Sequence, residues 1–184
     1  MSAITRIITK TRALVDDLEK TTTESNIYTS SSIFTLGETG NSIVSVEING
    51  VASSDYTFST TTNKVTITAN LTANDTVVIQ YKYYSQFSDT EIKGYVEGAL
   101  TYISLYGIKN FYLESALRLY PYPTEKEENL ISLITAILIK PNYSRYRTAT
   151  VSVEYPRNKS KEEKITEAIG YYKHSDSHGI FFGA

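Results

Sequence analysis

The spacing of apolar residues changes twice along this chain, and that change constrains the fold more than any other feature. At the start, Ile4, Ile7, Ile8, Thr11, Leu14, Val15 and Leu18 recur at helical spacing, which predicts an amphipathic helix over residues 3–20. A Thr- and Ser-rich stretch, Thr21 to Ser32, follows. From about Ser31 to Tyr84 the repeat is two residues: Val44, Val46 and Ile48 alternate with Ser45 and Glu47, Tyr56 and Phe58 with Thr57, and Val77, Ile79, Tyr81 and Tyr83 with the residues between them. Asn49-Gly50, Thr62-Asn63 and Asn74-Asp75 punctuate this text, and the first supplies the positive-φ pair of a tight hairpin. Four or five short strands at this spacing predict a small antiparallel sandwich or barrel.

Helical spacing then returns. Ser88-Asp89-Thr90-Glu91 reads as a capping box, with Phe87 before it and Ile92 after it as the matching hydrophobic staple. The helix runs through Tyr95, Val96, Ala99, Ile103 and Tyr106 and ends at Gly107, with Leu100 off its main stripe. A short helix is expected over Asn110–Leu119, before Pro121 and Pro123. Thr124-Glu125-Lys126-Glu127 opens the next helix, whose stripe is Leu130, Leu133, Ile134, Ile137 and Leu138. Thr148–Tyr155 alternates and reads as a lone strand or extended arm, and Ser160-Lys161-Glu162-Glu163 caps a last helix with an exposed first turn. The expected class is therefore α+β: a bundle of about four helices (residues 1–24 and 85–184) with an inserted small antiparallel β-sandwich or barrel module (residues 25–84).

A length of 184 residues suits one domain carrying such an insertion. A net charge of −2 gives no field that demands nucleic acid or anionic lipid as partner. Zero cysteines exclude disulfides, thiolate zinc sites and thiol nucleophiles. The first 20 residues lack the apolar run of a signal peptide, and no window reaches the roughly 20 apolar residues of a membrane span. His174 and His178, with Asp176 between them, have the spacing of helical metal ligands. Ser175, Ser177 and Gly179 make that stretch a poor helix, so it reads as a solvated tail. No catalytic residue, cofactor or metal is expected, and the chain reads as a structural protein rather than an enzyme.

Two features point to partners. The segment Asn142–Tyr155 holds Tyr143, Arg145, Tyr146 and Arg147 and then the alternating Val151 and Val153, residue types enriched at interface anchors. A nucleic-acid groove uses the same types, but the small net charge argues against it. Ile180, Phe181 and Phe182 are three large apolar residues that dock either on their own domain or on another subunit. Sixteen tyrosines, among them Tyr56, Tyr81, Tyr83 and Tyr84, also suggest a stacking platform for a ligand or receptor on the β module, as an alternative function.

Arg12-Ala13-Leu14-Val15-Asp16-Asp17, then Phe87-Ser88-Asp89-Thr90-Glu91-Ile92, then Glu97-Gly98-Ala99-Leu100-Thr101-Tyr102-Ile103 resemble the head–tail connector (adaptor) proteins of tailed bacteriophages. Val46-Glu47-Ile48-Asn49-Gly50-Val51 and Asp55-Tyr56-Thr57 resemble β modules common in phage virion proteins. The resemblance covers the helical text. It implies a homo-oligomeric ring, dodecameric in that family, assembled in the bacterial host cytoplasm and placed in the virion neck. The portal protein and a tail or neck protein would be its partners, with no membrane. DNA would pass through the lumen without specific binding, the tail would dock on the portal, and extended segments would join neighbouring subunits.

Overall fold

A computed structural model describes residues 1–114 and 118–174. In chain order it runs α1 (Ala3–Leu14), β1 (Lys20–Ile27), β2 (Ile33–Thr35), β3 (Gly40–Ile48), β4 (Val51–Ala52), β5 (Tyr56–Ser59), β6 (Lys64–Ile67) and β7 (Thr76–Tyr83). It continues with α2 (Asp89–Leu105), β8 (Tyr112–Glu114), β9 (Arg118–Tyr120), α3 (Glu125–Ile139), β10 (Arg145–Arg147), β11 (Ser152–Glu154) and α4 (Lys161–Lys173). Helices and antiparallel sheets make the class α+β. The chain divides into two compact units, residues 1–17 with 87–184, and residues 18–86.

The first unit is organised around α3. Its residues from Glu127 to Ile137 are all buried, and α1, α2 and α4 pack against it. A helix apolar on one stripe needs one neighbour, whereas a helix covered on every side must satisfy its polar groups internally. Ser132 donates to the Glu128 carbonyl at 2.7 Å and Thr135 to the Ile131 carbonyl at 2.7 Å. Ile4, Ile7, Val96, Ile103, Leu130, Ile134 and Ile169 belong to one continuous core.

All three later helices start as their sequences predict. Ser88, Thr124 and Ser160 each accept from the amide three residues on, and Glu91, Glu127 and Glu163 each return the bond to the cap amide. The backbone bond from Ser88 holds the Glu91 carboxyl below its usual range, and Ser160 does the same for Glu163. Phe87 and Ile92 both join the core, and Gly107 lies beyond α2 at φ +67°.

Four sequence expectations are corrected in this unit. The first helix stops at Leu14 rather than at residue 20: Asp16 takes φ +57°, the Asp17 amide bonds back to the Arg12 carbonyl at 2.9 Å, and Leu18 is exposed. Residues 110–119 hold no helix among those described; β8 and β9 pair antiparallel, Tyr112 opposite Tyr120. Leu100 is buried rather than off the stripe, because α2 packs on α1 and β8 as well as on α3. The segment before Tyr155 is not a lone strand: β11 pairs with β10, Tyr146 opposite Val153, and the Thr148 amide donates to the Val151 carbonyl at 2.6 Å to close the turn.

In the second unit, one sheet has the order β1-β7-β3-β4 and the other β2-β6-β5, all antiparallel neighbours. Phe34, Leu36, Val46, Val65, Ile67, Val77, Ile79 and Tyr81 form one core between them, and neither sheet closes into a barrel. Asn49 (φ 52°) and Gly50 (φ 79°) make the hairpin turn that brings Ile48 opposite Val51. Asn63 ties the unit together. Its side-chain oxygen accepts from the Gly40 amide at 2.9 Å, and its nitrogen donates to the carbonyls of Leu36 (2.9 Å) and Glu38 (3.0 Å).

Candidate interaction surface

The segment singled out for its tyrosines and arginines is a hairpin with an inner and an outer face. Tyr146, Val151, Val153 and Tyr155 point into the core, with Tyr146 at 0% exposure. The Tyr146 hydroxyl donates to the Lys140 carbonyl at 2.5 Å, and its ring meets Tyr155 edge-on at 6.1 Å between centroids. Tyr143 is half-buried beside them, 6.2 Å from the Tyr146 ring. Tyr146, Val151 and Val153 are therefore core residues and cannot anchor a partner; strand alternation sends every second residue inward, and here the tyrosine and valines hold the inward positions. Arg145 and Arg147 take the outward ones. Arg145 pairs with Glu154 at 3.0 Å, both well exposed, so this bond adds little stability.

Lys164 also departs from the sequence reading of an exposed first turn. It is 1% exposed, and its ammonium donates to the carbonyls of Tyr143 (3.0 Å) and Pro141, tying α4 to the start of the hairpin segment. Ile180, Phe181 and Phe182 lie outside the described residues, as do Asp176 and His178. His174 is the C-cap of α4. Among the described residues no group of three or more His, Asp or Glu side chains is placed to hold a metal ion.

Three outward-facing apolar side chains of this unit, Leu105, Tyr112 and Tyr120, went unremarked in the sequence. Tyr112 and Tyr120 form a cross-strand pair, 5.4 Å between ring centroids, and each is just over half exposed. Leu105 at the end of α2 is 77% exposed. A hollow of about 340 Å³ opens here, lined by Leu100, Thr101, Ser104, Leu105, Phe111 and Tyr112. The signal was available in Tyr112 and Tyr120, but a helical reading of residues 110–119 put Tyr112 on a helix and left Tyr120 beyond its end, so the two were never set opposite each other.

A second cleft, about 580 Å³, lies between α1 and the start of α3 and is lined by Arg6, Lys10, Tyr122, Thr124, Glu125 and Glu128. Its Glu128 carboxylate is paired with the cations of α1. The Arg6 guanidinium donates to both Glu128 oxygens and to the Tyr122 hydroxyl (2.6 Å), and these bonds, Glu128 first, raise its pKa further. Lys10 donates to Asn129 at 2.7 Å and reaches Glu128 at 3.4 Å. Two cations on one buried carboxylate fix α1 to α3.

Among the described residues, the most deeply buried ion pair is at Arg12. Its side chain is 5% exposed and that of its partner Asp17 0%. Besides Asp17, the guanidinium donates to the Phe87 carbonyl at 2.8 Å and to the Asp89 carboxylate at 2.7 Å. Sequence reading placed Arg12 on a helix and Asp17 at its end, with nothing to join them to residues 87–89.

On the β unit, at least one of the four tyrosines, Tyr81, is taken up by the core and is not free to stack on a ligand. Tyr81 is buried, its hydroxyl donating to the Glu24 carboxylate and accepting from the Glu38 amide at 3.0 Å. Burial and that carboxylate push its pKa up to about 12. Tyr56 and Tyr83 pack against the same core.

Among the described residues, no helix is long and apolar enough to cross a membrane. No protein-family profile matches this chain, and no curated protein matches it.

Proposed function

We propose that this chain is a structural subunit of a phage neck, a ring-forming head–tail connector that docks on the portal and joins it to the tail. One observation carries the reading. The segments that carry the resemblance, Arg12–Asp17 and Phe87–Ile92, are joined by a single buried guanidinium that bonds Asp17, the Phe87 carbonyl and Asp89. Residues far apart in sequence and similar to one family thus act as one structural device.

In this reading the helical unit is the frame and residues 18–86 are a small β sandwich inserted into it. The frame presents Tyr112, Tyr120, Arg145 and Arg147 outward, residue types enriched among interface anchors, and leaves the apolar Leu105 exposed. Residues 174–184, with Ile180, Phe181 and Phe182, dock on the portal, where a modest contact per subunit is multiplied around a ring. The ring is dodecameric, its lumen passes DNA without binding it specifically, and the chain carries no enzymatic activity or cofactor.

Native mass spectrometry and negative-stain imaging of the purified protein, alone and with portal rings of the same phage, test this. A closed ring that sediments with portal, and loses that binding when residues 174–184 are deleted, is the expected result. A protein that stays monomeric with portal present, at concentrations well above micromolar, sinks the proposal.

A further inference from the structure

The chain leaves the helical unit after Asp17 and re-enters it at Phe87. Both ends of that gap are held by one residue. Nη1 of Arg12 donates to the Asp17 carboxylate and to the Phe87 carbonyl, while Nη2 donates to Asp89 in the first turn of α2. One nitrogen bonded to both sides places the two ends within a few ångströms of each other. The β unit closes the same excursion a second time. Lys20 opens the β1–β7 ladder opposite Tyr83, and Glu19 pairs with Lys82 at 2.9 Å. The apolar cores are separate: the cluster of the helical unit and that of the β unit have no residue in common.

We propose that Arg12 is a clasp that closes the helical unit across residues 18–86, so that this unit keeps its fold whether or not the β unit is folded. The reasoning is one of chain closure. While the β unit is folded, its ladder holds the two ends together and the clasp adds to a closure already made. When the β unit unfolds, residues 18–86 become a flexible loop, and the entropy of bringing its ends together falls on the helical unit. A buried guanidinium bridging both ends then keeps α1 against α2. Burying such a charge is justified less by net stability than by the geometry it fixes, since apolar packing of the same volume is often as stable. The inference is independent of the connector reading.

Four full-length proteins test it: the parent, Arg12→Met, Val77→Asp/Ile79→Asp, and the combination. Val77 and Ile79 are fully buried in β7, so two carboxylates there unfold the β unit. Hydrogen exchange read by mass spectrometry follows α3 for the helical unit and β7 for the β unit. In Val77→Asp/Ile79→Asp, β7 should exchange at unfolded rates while α3 keeps its protection. Arg12→Met alone should raise exchange in residues 12–17 and 87–92 by roughly a hundredfold or more, the range for breaking a buried ion pair, and leave β7 unchanged. The combination should lower protection of α3 by more than the product of the two separate effects.

Loss of α3 protection in Val77→Asp/Ile79→Asp alone would overturn the proposal, as would a combination no worse than Arg12→Met. If Arg12→Met unfolds the helical unit outright, Asp89→Ala, which removes one arm of the clasp, takes its place in the same comparison. Arg12→Lys should fall between parent and Met, because an ammonium cannot reach three acceptors in a planar fork.

Discussion

Truncating Ile134 to Ala tests whether α3 is the axis of the helical unit. Ile134 is 0% exposed near the middle of a helix that α1, α2 and α4 all contact. The change removes three buried carbon atoms, about 2.4 kcal/mol at about 0.8 kcal/mol each. A cavity term adds to this because a helix enclosed on several sides cannot collapse onto the vacated space. The total should fall at about 3–4 kcal/mol, inside the range of about 2–5 measured for such truncations. Circular dichroism in urea reads it, because helices dominate the signal and lie in this unit. With a slope of about 2 kcal/mol per molar, the midpoint should drop by about 1.5–2 M. Leu105→Ala, at a position 77% exposed, is the control and should cost no more than about 0.5 kcal/mol. If Ile134→Ala shifts the midpoint no more than Leu105→Ala, α3 is not core and the reasoning fails.

Two buried tyrosines should respond differently to loss of the hydroxyl: Tyr146→Phe breaks the bond to the Lys140 carbonyl and should cost about 1 kcal/mol, whereas the Tyr155 hydroxyl has no hydrogen-bond partner among the described residues and Tyr155→Phe should be neutral or stabilising, as thermal melts will read. Tyr81 is held neutral by burial and Glu24 with its pKa pushed up to about 12, against about 10 when unfolded. Its contribution is therefore complete below about pH 10 and lost as pH rises toward 12, and Tyr81→Phe should abolish that part of the alkaline destabilisation of the β unit, followed by exchange in β7. Ser88→Ala removes the acceptor for the Glu91 amide and should cost about 1 kcal/mol in the same urea melts, with Ser85→Ala as a control.

What was legible in the sequence was local. A capping box spans four residues, so Ser88, Thr124 and Ser160 announce their helices without reference to the rest of the chain. Alternation with Asn-Gly likewise announces the hairpin at Asn49-Gly50, because the turn needs two positive φ angles and little else. Over ten residues, however, tyrosine, leucine and phenylalanine satisfy either period, so 110–119 read as helix where strands form. What a second neighbour covers is also invisible: Leu100 is buried by contacts on a side of α2 that its own stripe does not describe.

The candidate sites were the least legible, for the same reason. Composition says that tyrosine and arginine suit interfaces, but only packing says which copies of them face out. Tyr146 and Arg145 are adjacent, and a strand must send them to opposite sides. Whichever side meets the core takes the residue with the larger apolar area, so Tyr146 is consumed by folding and Arg145 is left for solvent. Arg12 shows the converse. It carries the charge expected of a surface residue, yet it is buried because three acceptors converge on it: Asp17 close in sequence, Phe87 and Asp89 far away. A residue whose role is to join distant segments leaves no periodic trace in either. Any surface available to a partner is therefore to be sought among side chains that folding leaves unused, such as Tyr112, Tyr120 and Leu105 in the helical unit.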